Sequence, residues 1–192
     1  MTDKAKLLSN DKEWTEVLCK EQMDRSITRI AHEILESNEG TKSVAIVGIR
    51  TRGDFIARRV QAKIKEIESV EVPLGVVDIT LYRDDLGTGA EQPVVRGTDL
   101  PFDIDKKVIV LVDDVLYTGR TVRSALDAII DFGRPIKVQL AVLCDRGHRE
   151  LPIRADFVGK NVATAPEESV RVRLNDCDGE EGVYVKLSKG AK

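Results

Sequence analysis

Two adjacent carboxylates, Asp113 and Asp114, stand directly after five consecutive β-forming residues, Val108 to Val112. A run of this length is too short to cross a membrane and suits a strand buried on both faces, as in a parallel sheet. The strand is read as stopping at the acidic pair. Val115, Leu116, Tyr117, Thr118, Gly119, Arg120 and Thr121 then lead into VRSALDAIIDF, where Val122, Leu126, Ile129 and Ile130 recur at helical spacing. In an open α/β sheet, ligands bind at the carboxyl ends of strands, and the free N–H groups of a helix start suit a phosphate. Gly119 allows close backbone approach, while Thr118 and Thr121 add hydroxyl donors. Two neighbouring acids repel, and sequestering one ion unpaired costs several kcal/mol. A sugar diol with a divalent cation offsets that cost, since each hydroxyl hydrogen bond to a charged group contributes about 1.5–3 kcal/mol. A plainer reading stands beside this one: a solvated acidic turn with Thr118 as an N-cap.

A second constellation lies upstream. The buried-strand pattern Ser43 to Ile49 runs into Arg50, Thr51, Arg52 and Gly53, and a helix follows with Ile56, Val60, Ile64 and Ile67 on its inner face. The connecting loop is short, glycine-flanked and doubly basic, as an anion site requires, though a tight turn with surface arginines fits it too. A third constellation is a stripe on the helix Lys20 to Ser37, which buries Met23, Ile27, Ile30, Ala31 and Ile34. Its opposite side carries Arg25, Thr28, Arg29 and His32 at i, i+3, i+4 and i+7. Such a stripe is most often a solvated face.

These groups need a scaffold, and 192 residues with 42% hydrophobic and 33% charged content predict one globular domain. Residues 1–17 are polar and mixed, a loose arm. Asn38 to Gly40 stop the first helix, and Val72 to Arg83 read as a further strand. Residues 84–105 are rich in Gly, Asp and Pro without periodicity, a flexible loop. Gly133 and Pro135 form the next stop, Lys137 to Leu143 another buried strand, and short alternating strands start at Val170 and Val183. The expected fold is α/β, a parallel five-stranded core flanked by helices, with residues from about 145 to 192 adding a small hood. Cys19, Cys144 and Cys177 are widely spaced and read as free thiols of a reducing cytosol. There is no apolar leader and no run near the ~20 apolar residues of a membrane span, so a soluble cytoplasmic protein is expected. A net charge of −3 offers no global attraction to nucleic acid, so any such contact needs a local patch.

The stretch VIVLVDDVLYTGRT closely resembles the phosphoribosyl-pyrophosphate signature of the type I phosphoribosyltransferases, and the match covers its strand–turn–helix context. A receiver domain also sets paired aspartates after an apolar strand, but near its start, whereas more than half of this chain precedes the pair. The resemblance implies phosphoribosyl pyrophosphate (PRPP) as substrate with Mg²⁺ as cofactor. It makes GIRTRG the pyrophosphate loop and residues 84–105 a lid that excludes water. Arg83, Asp84 and Asp85 at its root would contact pyrophosphate or its metal ion.

TRIAHEI, DITLYRDDL, GRP and LAVLCDRGHRELPIRADFVGKN extend the resemblance to the bifunctional pyrimidine-operon attenuation proteins, over nearly the whole chain beyond the arm. Purine-using relatives commonly carry an aspartate base where this chain has Tyr117, a poor base at neutral pH, which favours a pyrimidine. The resemblance implies uracil as acceptor and UMP as product. Asp113, Asp114 and Arg52 would be catalytic. Val115 to Thr121 would cradle the 5′-phosphate, Thr51 and Arg52 would take pyrophosphate, Arg146 would flank the nucleotide, and uracil would be read near Val162. It further implies a homodimer or higher homo-oligomer whose basic face binds an mRNA stem-loop of the pyrimidine operon. The matching residues are Thr28, Arg29, His32, Arg149, Arg154 and Lys160, diluted by Asp145, Glu150 and Asp156. His148 fits a core hydrogen-bonder or a rim residue equally.

Overall fold

Alternation along the apolar strands sends neighbouring side chains to opposite faces of one sheet. Val44 and Ile46 of β2 (Val44–Ile49) belong to one core cluster, with Ala45, Val47 and Ile49 in the other. Likewise β4 (Val108–Leu116) divides Val110 and Val112 from Ile109 and Leu111. Helices α1 (Lys20–Ser37) and α2 (Gly53–Glu68) cover the first face through Met23, Ile27, Ile30, Ile34, Ile56, Val60 and Ile64. Helix α3 (Arg120–Ile130) covers the second through Val122, Ala125, Ala128 and Ile129. Burial on both faces explains why these strands read as continuous apolar runs. This architecture is seen in a computed structural model that describes residues 14–82 and 97–186.

With β3 (Leu74–Val77), β5 (Lys137–Asp145) and β6 (Phe157–Asn161), the sheet runs β3-β2-β4-β5-β6, every pairing parallel. The expected five-stranded parallel core is therefore present. The chain leaves β2 toward β3 on one side and then crosses to β4 on the other. The switch point, where a crevice opens between carboxyl ends, thus lies between β2 and β4.

Several expectations are corrected. The strand of the acidic pair does not stop there: β4 continues to Leu116, because Val115 and Leu116 pair with Cys144 and Asp145 of β5. The strand expected over residues 72–83 is confined to Leu74–Val77, and Thr80–Tyr82 form a 3-10 turn, with the Thr80 amide donating to the Asp78 carboxylate at 2.9 Å. The fifth core strand, β6, has a glycine at its centre and only two buried residues, so it lacked a strand pattern. Of the supposed arm, residues 1–13 lie outside the described residues, but Trp14–Cys19 form β1. That strand pairs antiparallel with β8 (Gly182–Lys186), which also pairs with β7 (Ser169–Arg173). This three-stranded sheet and the one-turn helix α4 (Asn175–Asp178) make up the expected hood.

Of the loop expected over residues 84–105, only residues 97–105 are described. Residues 84–96 lie outside the described residues, but Asp99 and Val76 exchange both backbone hydrogen bonds at 2.8 Å, and Ile104 is buried. Among the described residues no helix is long and apolar enough to cross a membrane.

Candidate active site

The two loops predicted to carry chemistry meet at the switch point. Gly53 opens α2 against the end of β4: a Cβ added there would lie 2.4 Å from the Val112 carbonyl oxygen and 3.1 Å from Asp113 Cα. Only a glycine permits that approach. Gly48, near the end of β2, is equally tight against Asp54 Cα, at 2.4 Å. The basic loop Arg50–Gly53 is thereby pressed against the acidic strand end, and the Arg50–Thr51 peptide is cis. Thr51 is exposed and Arg52 half-buried.

Asp113 is buried and Asp114 partly so, and each carboxylate accepts its successor's amide: Asp114 N to Asp113 Oδ1 at 2.9 Å, Val115 N to Asp114 Oδ1 at 2.8 Å. Desolvation, followed by repulsion from Asp114, pushes the Asp113 carboxyl well above the ordinary carboxylate range. Asp114 is raised by burial too, though the Val115 amide and the Arg52 charge oppose it. Such a pair is short of donors and cations. Hydroxyl donors of a diol would fit it, as would a Mg²⁺ ion that takes its other ligands from substrate oxygens.

Beyond β4, Gly119 has φ +94° and packs under Leu151 and Ile153, so the turn into α3 is left-handed. Gly119 at its N-cap offers no side chain, and the Arg120 amide turns to Thr118 Oγ1 at 3.4 Å, so the next amides of this start are the ones that suit an anion. Thr118 accepts from the Glu150 and Leu151 amides at 3.0 and 3.1 Å through its carbonyl, and Thr121 is exposed beside it. Arg120 is paired outward with Glu150 at 2.8 Å. Val115 and Leu116, expected in the cradle, are the last two residues of β4, directly ahead of the turn that starts at Tyr117.

Arg146 is buried with its guanidinium 4.1 Å from the Tyr117 ring centroid. It donates to the carbonyls of Ala165 at 3.2 Å and Glu168 at 2.6 Å. Arg146 therefore fixes the 164–168 turn and a ring at the mouth of the cradle. His148 is a rim residue: it is exposed, stands edge-on to Tyr117 and has Nε2 2.6 Å from the Thr164 carbonyl. Val162 is buried, and its amide already donates to Asp145 O at 2.8 Å, so any backbone reading of a base there falls to its carbonyl. Arg83, Asp84 and Asp85 lie outside the described residues.

Of the predicted RNA-binding residues, Arg29 and Arg149 are engaged within the chain, while His32, Arg154 and Lys160 are exposed. Arg25, Thr28, Arg29 and His32, with Asp24, line a hollow of about 400 Å³ on α1, and His32 is exposed. Arg29 also spans from Glu33 to the carbonyls of Val158 and Gly159 on β6, at 2.6, 3.1 and 2.7 Å. Arg149 departs most from expectation. Its guanidinium donates to the carbonyls of Tyr117 (2.8 Å), Gly147 (3.0 Å) and Ile153 (3.0 Å) and is paired with Asp145. That is a brace between the cradle and the loop after β5, not a free cation. Arg154 and Lys160 are exposed.

Sequence reading missed the acidic turn of the hood, where Asp176, Asp178 and Glu181 face Arg59 and Arg52 of the α2 segment. The cluster NDCDGEE was visible, but nothing local indicated which cations it would meet.

A parallel sheet with an acidic pair, an anion loop and a phosphate turn around its switch point defines a phosphoribosyltransferase, and the family model described as "Phosphoribosyl transferase domain" matches residues 13–176. A hypoxanthine phosphoribosyltransferase from Staphylococcus aureus shares the fold with a TM-score of 0.69 at 18% identity, covering 95% of each chain. Among curated proteins, the "Bifunctional protein PyrR" of Pelotomaculum thermopropionicum is 61% identical over 174 residues, 91% of this chain and 96% of the relative. That of Roseiflexus sp. is 61% identical over 171 residues, 88% and 93% of the two chains. The chain belongs to the PyrR family of phosphoribosyltransferases.

Proposed function

We propose that this protein forms UMP and diphosphate from uracil and PRPP, and that it regulates pyrimidine-operon expression by binding a leader-mRNA stem-loop with UMP as co-effector, a transcriptional attenuation. The observation that carries the enzymatic reading is the contact of Gly53 with Val112 and Asp113, which sets an anion loop and an acidic pair on one crevice. Asp113 and Asp114 accept hydrogen bonds from the ribose hydroxyls, and their charge stabilises the oxocarbenium-like anomeric carbon. Tyr117 to Thr121 hold the 5′-phosphate, while Thr51 and Arg52 hold the pyrophosphate. The bond from the anomeric carbon to pyrophosphate oxygen breaks with its electron pair leaving on oxygen, and the ring nitrogen of uracil bonds to that carbon as its proton passes to solvent water. Mg²⁺, when bound to the sugar diphosphate, neutralises charge on the leaving group. Positioning of the two reactants supplies the rest of the acceleration.

For the RNA-binding face, His32, Thr28, Arg154 and Lys160 are assigned direct contacts, and the assembly that presents them is a homodimer or higher homo-oligomer. We read the chain as one cytoplasmic domain. An enzyme without an RNA role is a second reading, favoured by the internal engagement of Arg29 and Arg149. A filter-binding titration with a pyrimidine-operon leader RNA, run beside an assay of UMP formation, tests both halves. Tightening of RNA binding by UMP supports the regulator. UMP synthesis without any RNA binding selects the second reading, and an absence of synthesis overturns the enzymatic one.

A further inference from the structure

The hood's acidic turn reaches across to the anion loop at one point. Arg52 donates from Nη2 to Asp178 Oδ1 at 2.7 Å and from Nε to Asp178 Oδ2 at 3.2 Å, a two-pronged pair. The carboxylate that receives this fork is itself held. Asp178 Oδ2 accepts the Leu174 amide at 3.0 Å and the Cys177 thiol at 3.3 Å, while the Asp178 amide donates to Leu174 O at 2.7 Å. Burial raises the Asp178 carboxyl, but these hydrogen bonds, led by Arg52, outweigh it and hold the group below its ordinary range. An exposed ion pair between two long side chains contributes little. This one differs because a backbone-fixed acceptor removes most of the freedom the arginine would otherwise keep.

A second pair secures the turn independently. Arg59 lies two helical turns from Arg52, hence on the same side of α2, and it donates to Asp176 at 2.6 Å and pairs with the largely buried Glu181. The hood therefore stays docked on α2 through Arg59, and Asp178 is left to orient Arg52. Among the described residues the fork uses Nε and one hydrogen of Nη2, which leaves the Nη1 donors for a phosphate oxygen while the pair persists.

We infer that Asp178 is a positioning residue: it holds the Arg52 guanidinium in place over the anion loop, so that pyrophosphate is gripped by a preorganised donor. The inference rests on the proposed reading of Thr51 and Arg52 as the pyrophosphate loop. It gives the hood, a part of the chain remote from the acidic pair in sequence, a direct hand in binding the leaving group.

The test compares the full-length protein with Asp178→Asn, Asp178→Glu and Asp176→Asn. Initial rates of UMP formation are measured against PRPP and against uracil, and Mg²⁺-pyrophosphate binding is followed by calorimetry. Asp178→Asn is expected to raise the KM for PRPP and the Kd for pyrophosphate by roughly tenfold or more, the scale of a lost charge-assisted hydrogen bond. The KM for uracil and the melting temperature stay near wild type. Asp178→Glu restores part of the loss, and Asp176→Asn changes neither constant. Unchanged pyrophosphate binding and PRPP kinetics in Asp178→Asn overturn the inference, as does a loss cured simply by raising Mg²⁺, which would make Asp178 a metal ligand. A wild-type protein that binds pyrophosphate but makes no UMP defeats the enzymatic reading alone, and the binding ratio still decides the role of Asp178.

Discussion

Gly53 stands so close to the Val112 carbonyl that a methyl group on it would sit 2.4 Å from the oxygen. Both partners are main chain, so neither can swing aside. The anion loop is therefore set against the acidic strand end by backbone contact, independent of any side-chain pairing. Gly53→Ala should destabilise the fold by about 1–3 kcal/mol, the usual cost of overpacking a filled interior. It should also lower kcat/KM for PRPP at least tenfold, a loss larger than the stability change explains. Urea unfolding and initial rates at a temperature where the variant is fully folded check both parts. Wild-type activity in a folded variant would mean that the two loops work without this contact.

A second expectation concerns pH. Burial and the neighbouring Asp114 raise the Asp113 carboxyl, so the folded state holds a proton that the unfolded chain has already released. Folding stability is then fully present below the unfolded pKa near 4 and falls as pH rises through the higher folded value. Asp113→Asn removes the titration. The variant should melt higher than wild type at neutral pH, with the gap shrinking toward pH 4, while UMP formation falls by orders of magnitude. Thermal melts of the ligand-free proteins from pH 4 to 8 measure it. A gap that is flat or widens toward acid would show that the buried carboxyl is not destabilising.

His32 and Arg149 were grouped by sequence, and the structure separates them. His32 is exposed on α1, whereas Arg149 braces Tyr117, Gly147 and Ile153 and pairs with Asp145. His32→Ala should weaken leader-RNA binding about tenfold with UMP formation unchanged, on the scale of one lost polar contact. Arg149→Ala should lower UMP formation and the melting temperature along with RNA binding, because three carbonyls and a carboxylate lose their donor. Filter binding, enzyme assay and thermal melts on both variants decide it. Selective loss of RNA binding in Arg149→Ala would return that residue to the RNA surface.

What could be read from the residues divides along physical lines. The core strands were legible because burial on both faces leaves an unbroken apolar run, and α1 and α2 because their inner faces repeat at helical spacing. The acidic pair and GIRTRG were legible because each packs its chemistry into a few neighbouring residues. Strand β6 was not, since FVGKN buries only Phe157 and Gly159 and takes its place from pairing with β5. Nor was β1, whose partner strand lies at the other end of the chain. The arginines show the same limit most sharply. Composition marks Arg29, Arg52, Arg59 and Arg149 alike as cations, but only folding decides which meet carbonyls, which meet carboxylates and which remain for a ligand.

Arg146 offers a final discrimination. It is buried, lies 4.1 Å from the centroid of the Tyr117 ring, and donates to the Ala165 and Glu168 carbonyls. One planar group thus joins the mouth of the phosphate cradle to the turn that follows Val162, where the base is proposed to sit. Lysine keeps the charge but cannot cover a ring and serve divergent acceptors together. Arg146→Lys should therefore raise the KM for uracil by roughly tenfold, the cost of a lost charged hydrogen bond, with a smaller change for PRPP and a melting temperature lower by several degrees. Two-substrate initial rates separate these effects. A rise confined to PRPP would place the residue's work at the phosphate end of the crevice and not beside the base.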